Sequence, residues 1–386
     1  MTKNMKKVSL FVFIDAFGWE ILKRHPFLDD LLVTKVPLGT IFGYSSTCDP
    51  TIITGKVPRD HGHFSFFVFN PAESPFGICR YLAVLPKFLT RRGRVRRVLS
   101  RVIQRYYGYT GYFQIYNMPF RYLPLFDYSE KRDLYQPGGI NSGVPTIFDH
   151  LRDQGIPFYL SDWRIKEEDN LKSLESALEE GEIVFAYLYM AAMDAILHAH
   201  GTKSPLVTDK IKWYENKLRS VITLAQKKYD PVHVYLFTDH GMTDITDECD
   251  LIKQIDRLGL RFGIDYAAMY DSTMARFWFH SNSAREKIIE VLEKEPQGQI
   301  LSEERLREYG CDFPDNKYGD LFFLMNPGVL MLPSFMGETS LAGMHGYAPE
   351  HKDSLAMLAS NVVPDPMPQR LDDLYDLMLG EVSDSG

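Results

Sequence analysis

The chain has 386 residues, 45% apolar and 24% charged, enough to bury a sizeable core in one large α/β domain with insertions or in two ordinary domains. Its formal charge of −8 argues against a general nucleic-acid binder, so no nucleic-acid polymer is expected as a partner. The four cysteines, Cys48, Cys79, Cys249 and Cys311, stand far apart with no CxxC pair; this argues against a disulfide scaffold and fits reduced thiols in the cytoplasm.

Taken in chain order, residues 8–14 form a seven-residue apolar run that ends at Asp15. The run is too short for a secretory leader and lacks a small-residue cleavage site, so it reads as a buried first strand. Residues 183–189 and 232–237 read as further buried strands, and 209–228 carries a helical pattern. Strands alternating with helices predict a mainly parallel sheet covered on both faces. In such sheets the chemistry gathers beyond the carboxyl ends of the strands. Asp15, Asp194 and Asp239 all fall there. No run approaches the roughly 20 apolar residues that span a bilayer.

Two segments break the alternation. Residues 64–140 are aromatic and proline-rich, with Arg-Arg-Gly-Arg-Val-Arg-Arg at 91–97, and read as an insertion or cap. Residues 250–340 mix helices with short strands, around Phe277-Trp278-Phe279 and Leu321-Phe322-Phe323-Leu324, and read as a smaller α+β lobe. The core is then 1–63 with 141–386, and the tail 380–386 is expected to fray.

Asp and His recur in four places: Asp15, Asp194-x-x-x-His198, Asp239-His240, and His345 within Gly343-Met344-His345-Gly346-Tyr347. Imidazole nitrogen with carboxylate oxygen suits Zn²⁺ and its first-row neighbours. An Asp and a His four apart share one helical face and can reach one ion. Adjacent Asp239 and His240 can do so only from a turn, which Gly241 is expected to supply. Any one of these alone is more often a cap, a turn residue or a structural histidine. All four in this order are much less expected by chance.

The order resembles the alkaline phosphatase superfamily, and within it the type I phosphodiesterases and nucleotide pyrophosphatases. Their Thr-Gly-x-x-Pro-x-x-His-Gly element is matched by Thr54-Gly55-Lys56-Val57-Pro58-Arg59-Asp60-His61-Gly62. Their Asp-x-x-x-His-x-x-Gly is matched by Asp194, His198 and Gly201, and their Thr-Asp-His-Gly-Met by residues 238–242. The resemblance covers 8–62 and 183–360 and implies an alkaline-phosphatase-like three-layer αβα fold with a mainly parallel central sheet plus insertions. It implies two divalent metal ions, zinc first, with Mn, Co or Mg as alternatives. Asp194, His198 and His345 would hold one ion, and Asp15, Asp239, His240 and the nucleophile the other. The implied reaction is hydrolysis of a phosphodiester or pyrophosphate bond through a phosphoseryl intermediate. The rival enzyme is a monoesterase or phosphotransferase on the same site. The rival from another class is a silent membrane- or partner-binding protein.

The family's nucleophile lies nine residues before the Thr of Thr-Gly, and counting back from Thr54 selects Ser45. Ser46 and Thr47 stay open, because this loop lacks the family's Thr-Phe-Pro-Asn sequence. Cys48-Asp49-Pro50-Thr51 is a partial echo of the sulfatase element, but Ile52 stands where that element has arginine. The expected substrate is a small phosphorylated molecule, a nucleotide or a lipid-linked phosphate. In 76–132, twelve Lys and Arg accompany only Asp127 and Glu130. Val95, Leu99, Val102 and Ile103 are predicted to line a helix face opposite the arginines. Such a helix can be a solvated face, a substrate lid, or a peripheral membrane contact through 91–105. The oligomeric state is left open.

Overall fold

A computed structural model describes residues 5–86, 90 and 92–383. Its centre is a six-stranded sheet in the order Thr34–Leu38, Ala356–Ser360, Tyr229–Phe237, Lys6–Ile14, Phe185–Met190, Phe158–Leu160. The first strand runs parallel to both neighbours. Ala356–Ser360 runs antiparallel to the strands on either side of it.

The period-2 pattern of the first strand sorts its side chains into two cores. Val8, Leu10, Val12 and Ile14 pack on one face with Leu174 and Leu178 of helix Glu167–Glu180 and Leu218 of helix Pro205–Ala225. Phe11 and Phe13 pack on the other with Ile52 of helix Ser45–Thr54, Phe148 of helix Ile147–Asp153 and Met378 of helix Asp373–Ser383. Burial on both faces is why the strand reads as a continuous apolar run rather than an alternating one. The result is the three-layer α/β/α arrangement. The helix predicted at 209–228 forms as Pro205–Ala225: Ser204 caps it by accepting from the Leu206 amide, and Pro205 takes the first helical position.

The tail departs from expectation. Residues 380–383 continue helix Asp373–Ser383 instead of fraying, while 384–386 lie outside the described residues. Glu381 anchors the end. Its carboxylate accepts from Tyr235 Oη at 2.7 Å and from Ser9 Oγ, and meets His233 Nδ1 at 2.9 Å and Lys7 Nζ at 3.1 Å. Burial works against that charge, but Ser9, Tyr235, Lys7 and His233 together hold the carboxyl below its usual range. A carboxyl depressed by folding stabilises the protein above its unfolded pKa, and that share is lost as pH falls through the folded value. Glu381→Gln is therefore expected to cost about 2 kcal/mol in urea denaturation at neutral pH. The gap to the parent should close below about pH 4.

Residues 250–340 hold an antiparallel sheet in the order Tyr266–Tyr270, Met274–Phe279, Leu321–Met325, Gly298–Ile300. Much of 64–140 packs onto it: Phe67, Phe76, Phe126 and Tyr128 share one core with Tyr270 and Phe277. Arg276 braces the two. It is fully buried, pairs with Asp271 at 3.2 Å, and donates to Ser65 Oγ at 2.7 Å, Phe67 O at 3.2 Å and Tyr318 O at 3.1 Å.

The basic helix forms as Gly93–Tyr107, and its buried face matches the predicted one only in part: Leu99 and Ile103 pack inward as expected. Arg96, Ser100 and Ile103 turn inward while Val95 and Val102 are exposed. The reason is the Arg96 guanidinium, which donates to the carbonyls of Thr90, Tyr116 and Met118 and draws its own face onto the protein. Arg91 of the predicted basic run lies outside the described residues. Among the described residues no helix is long and apolar enough to cross a membrane.

Candidate active site

Four chain segments converge beyond the carboxyl ends of the central strands. Asp15 follows Lys6–Ile14 directly, and its amide donates to Met190 O at 3.0 Å, tying it to the neighbouring strand. Asp239 and His240 follow Tyr229–Phe237. Asp194 and His198 lie one turn apart on helix Ala192–His200, and His345 follows the short strand Gly343–Met344. Gly241, expected to supply the turn after His240, has no positive φ. Its need is close approach, since a Cβ there would sit 2.2 Å from Asp353 O. Gly346 does have a positive φ of 86°, and a Cβ there would meet the Tyr44 ring at 2.6 Å.

The six side chains gather into two trios, Asp194 with His198 and His345, and Asp15 with Asp239 and His240, each with ligand atoms within 4.8 Å of one another. The rings of His240 and His345 stack at 3.7 Å and join the trios. Within each trio the atoms are close but not mutually satisfied. His198 Nε2 is 3.1 Å from Asp194 Oδ1, and His240 Nε2 is 3.0 Å from Asp239 Oδ2. Yet Asp194 Oδ1, Asp239 Oδ2 and Asp15 Oδ1 are buried with no hydrogen-bond partner. The second nitrogens of His198 and His240 are engaged, whereas Nδ1 of His345 is buried without a hydrogen-bond partner. His198 Nδ1 donates to Gly343 O at 2.8 Å and His240 Nδ1 to Gly241 O at 2.9 Å, which turns both Nε2 atoms toward the carboxylates. Orphaned carboxylate oxygens facing imidazole Nε2 atoms fit a divalent cation that would take the place of a proton between them.

The electrostatics agree. Burial, then the neighbouring carboxylates of Asp239, Asp194 and Asp49, push Asp15 well above its usual range. Burial opposes a charge on His240, but Asp239 beside it lifts the imidazole to about 9. Burial, then the nearby His240 and His198, hold His345 well below its usual value. Taken together, the cluster is short of positive charge.

The nucleophile loop enters this cluster at the start of helix Ser45–Thr54. Ser45 Oγ lies 3.2 Å from His240 Nε2. The neighbouring hydroxyls turn away: Ser46 Oγ faces Phe64 O at 3.4 Å, and Thr47 Oγ1 donates to the same carbonyl at 2.6 Å. Cys48 is buried between Thr40 and Ile41, and that burial keeps its thiol protonated. His61 of the Thr-Gly-x-x-Pro-x-x-His-Gly element is a strut, bonded to Thr51 Oγ1 at 3.0 Å and to the His63 amide at 3.1 Å.

The model of the type I phosphodiesterase/nucleotide pyrophosphatase family matches residues 9–348. The chain belongs to this family. Type I phosphodiesterases are metal-dependent phosphoric ester hydrolases, and the chain is an enzyme of that kind. Among solved structures the chain is similar to human ectonucleotide pyrophosphatase/phosphodiesterase 5 and to the murine protein of that name. Each match has a TM-score of 0.70 at 16% identity, over 98% of this chain and 95% of the other. The same holds for an inactive form of the murine protein in complex with AMP. These similarities show the alkaline-phosphatase-like fold. No curated protein matches the chain by sequence.

In this type I phosphodiesterase the two trios open onto a cavity of about 490 Å³. Its walls add Asp49, Tyr189 and Trp163 to the residues expected from sequence. Asp49 lines it, half-buried, with Oδ1 buried and unpartnered. Four residues beyond Ser45 on one helix, it shares a face with the nucleophile position, a spacing that could have revealed it. Tyr189 donates its hydroxyl to Asp15 Oδ2 at 2.9 Å. Tyr112 and Tyr116, from the aromatic stretch 106–126 that could either stack on a base or pack the insertion's own core, form an aromatic wall with Trp163. His63, His200 and Arg276, each near a motif, do not line it.

Proposed function

We propose that the chain hydrolyses a phosphodiester or pyrophosphate bond, with Ser45 as nucleophile. Asp194, His198 and His345 would hold one divalent ion, and Asp15, Asp239, His240 and Ser45 a second. The observation that carries this reading is the pair of orphaned carboxylate–imidazole trios with the Ser45 hydroxyl at one of them. Three imidazoles with three carboxylates suit zinc, with Mn, Co or Mg as alternatives. When bound, the two ions supply Lewis acidity that lowers the cost of a serine alkoxide and of charge on the leaving oxygen.

The chain's own residues do the rest. The Tyr44–Thr273 hydrogen bond, 2.8 Å, and the Thr273–Gly346 bond, 2.9 Å, brace the loop bearing Ser45 against the loop bearing His345. Ser45 and Ser46 open helix Ser45–Thr54, where amide groups lack intrahelical acceptors and favour a phosphoryl oxygen. Attack by Ser45 Oγ on phosphorus expels the first alcohol or phosphate and forms a phosphoseryl ester. Water then attacks that phosphorus from the vacated side, breaks the Ser45 Oγ–P bond and returns the serine.

The cavity walls bear on the substrate. No Lys or Arg is among the described residues that line them. A diester carries one negative charge and a monoester at neutral pH carries nearly two, so this lining favours the diester. The aromatic wall suits a flat base, and the AMP complex of the murine relative supports a nucleotide. Turnover of bis-(p-nitrophenyl) phosphate and p-nitrophenyl phosphate tests the choice. The kcat/KM for the diester is expected to exceed that for the monoester by at least about tenfold, or roughly 1.4 kcal/mol of transition-state preference. A preference for the monoester would overturn the diesterase reading.

A further inference from the structure

We propose that helix Gly93–Tyr107 docks the chain onto an anionic bilayer surface. With Arg96, Ser100 and Ile103 buried, the outward side of this helix carries two parallel stripes. One is apolar: Val95, Val98, Val102 and Tyr106, with exposures of 39%, 59%, 58% and 81%. Their i, i+3, i+7, i+11 spacing puts them in one row along the axis. Beside it runs a basic row, Arg94, Arg97, Arg101 and Arg105, all exposed. None of these four arginines makes an ion pair with an acid among the described residues, in a chain whose formal charge is −8.

The two rows together choose the occupant. A basic row alone would suit any polyanion, including a nucleic acid or an acidic peptide. Such a partner would leave three valines and a tyrosine in water. A bilayer carrying anionic headgroups takes both rows at once, the arginines at the phosphate level and the apolar row at the acyl boundary. Exposed apolar side chains also mark the segment just upstream, at Ile78, Tyr81 and Val84.

The helix is rigidly tied to the protein. Besides the Arg96 bonds, Ser100 Oγ accepts from the Ile115 amide at 3.1 Å and Gln104 Nε2 donates to Gly111 O at 3.0 Å. The segment so held, 111–116, contributes Tyr112 and Tyr116 to the catalytic cavity. The helix and one wall of the cavity are thus joined through 111–116 on the helix's buried side.

Co-sedimentation of the full chain with vesicles tests the proposal. Vesicles of phosphatidylcholine alone are compared with vesicles containing about one-third phosphatidylglycerol. The parent chain is expected to pellet with the anionic vesicles, not with the neutral ones, and to be released by salt. The triple variant Arg94→Gln/Arg97→Gln/Arg101→Gln is expected to bind roughly 100-fold more weakly. The double variant Val98→Ser/Val102→Ser should bind at least about tenfold more weakly. These positions are exposed, and turnover of a soluble diester by both variants should match the parent, which separates this test from that of the catalytic reading. No pelleting with anionic vesicles, or equal pelleting with neutral ones, overturns the proposal. Full binding by the valine variant with loss in the arginine variant also overturns it, and points to a soluble polyanion.

Discussion

Ser45→Ala is expected to lower kcat on a diester by about 10³- to 10⁵-fold while leaving the fold and the metal content near those of the parent. The prediction rests on the direction of three adjacent hydroxyls. Ser45 Oγ faces His240 Nε2 at 3.2 Å, whereas Ser46 and Thr47 are turned to Phe64 O. Ser46→Ala should therefore fall within a few fold of the parent in kcat, and it is the control for simple disturbance of the loop. The reversed pattern, with Ser46→Ala inactive and Ser45→Ala active, would move the nucleophile by one residue. Stereochemistry gives an independent readout. Two in-line displacements through a phosphoseryl ester retain configuration at a chiral phosphorus, and one direct attack by water inverts it. Inversion would remove Ser45 from the covalent role even if its alanine variant were slow.

How far the sequence could be read depended on whether a feature was local. The strand at Lys6–Ile14 was legible because a strand buried on both faces leaves an unbroken apolar run bounded by Asp15. The two trios were legible for the same kind of reason, since each member lies within a few residues of a strand end or on one helical turn. The face of helix Gly93–Tyr107 was legible only in part, at Leu99 and Ile103. Pattern alone assigns arginine outward and valine inward, and it cannot foresee that three backbone carbonyls, one of them more than twenty residues away in sequence, would satisfy a buried Arg96. The helical end at Ser383 was missed for a similar reason. Its anchor, Glu381, finds Ser9 and Tyr235 only once the sheet has formed. The aromatic wall of the cavity likewise depends on how residues 64–140 pack on the antiparallel sheet of residues 250–340. Contacts made at long range leave little trace in a short window.

Asp239→Ala and His345→Ala are each expected to reduce bound metal, read by elemental analysis, from close to two ions per chain to one or fewer. Diesterase activity should fall by at least about 10³-fold. Each variant removes a proposed ligand from a different trio, so partial retention of one ion in each would separate the two sites. A stability measurement makes the argument sharper, because metal and protein then act with opposite sign. Asp15 is buried beside other carboxylates, with Oδ1 unpartnered, so without metal its charge is a cost to the fold. Asp15→Asn keeps the shape and the acceptor for Tyr189 but removes that charge. In metal-stripped protein Asp15→Asn is expected to raise the melting temperature. In protein saturated with Zn²⁺ it should lower it, because a ligand that binds the native state near 1,000 times its Kd contributes about 4 kcal/mol and the variant forfeits much of this. An ordinary structural carboxylate would give the same sign in both conditions. If neither Zn²⁺ nor Mn²⁺ shifts the parent's melting temperature and no metal is retained, the two-ion mechanism fails, and the orphaned oxygens of Asp15, Asp194 and Asp239 need another explanation.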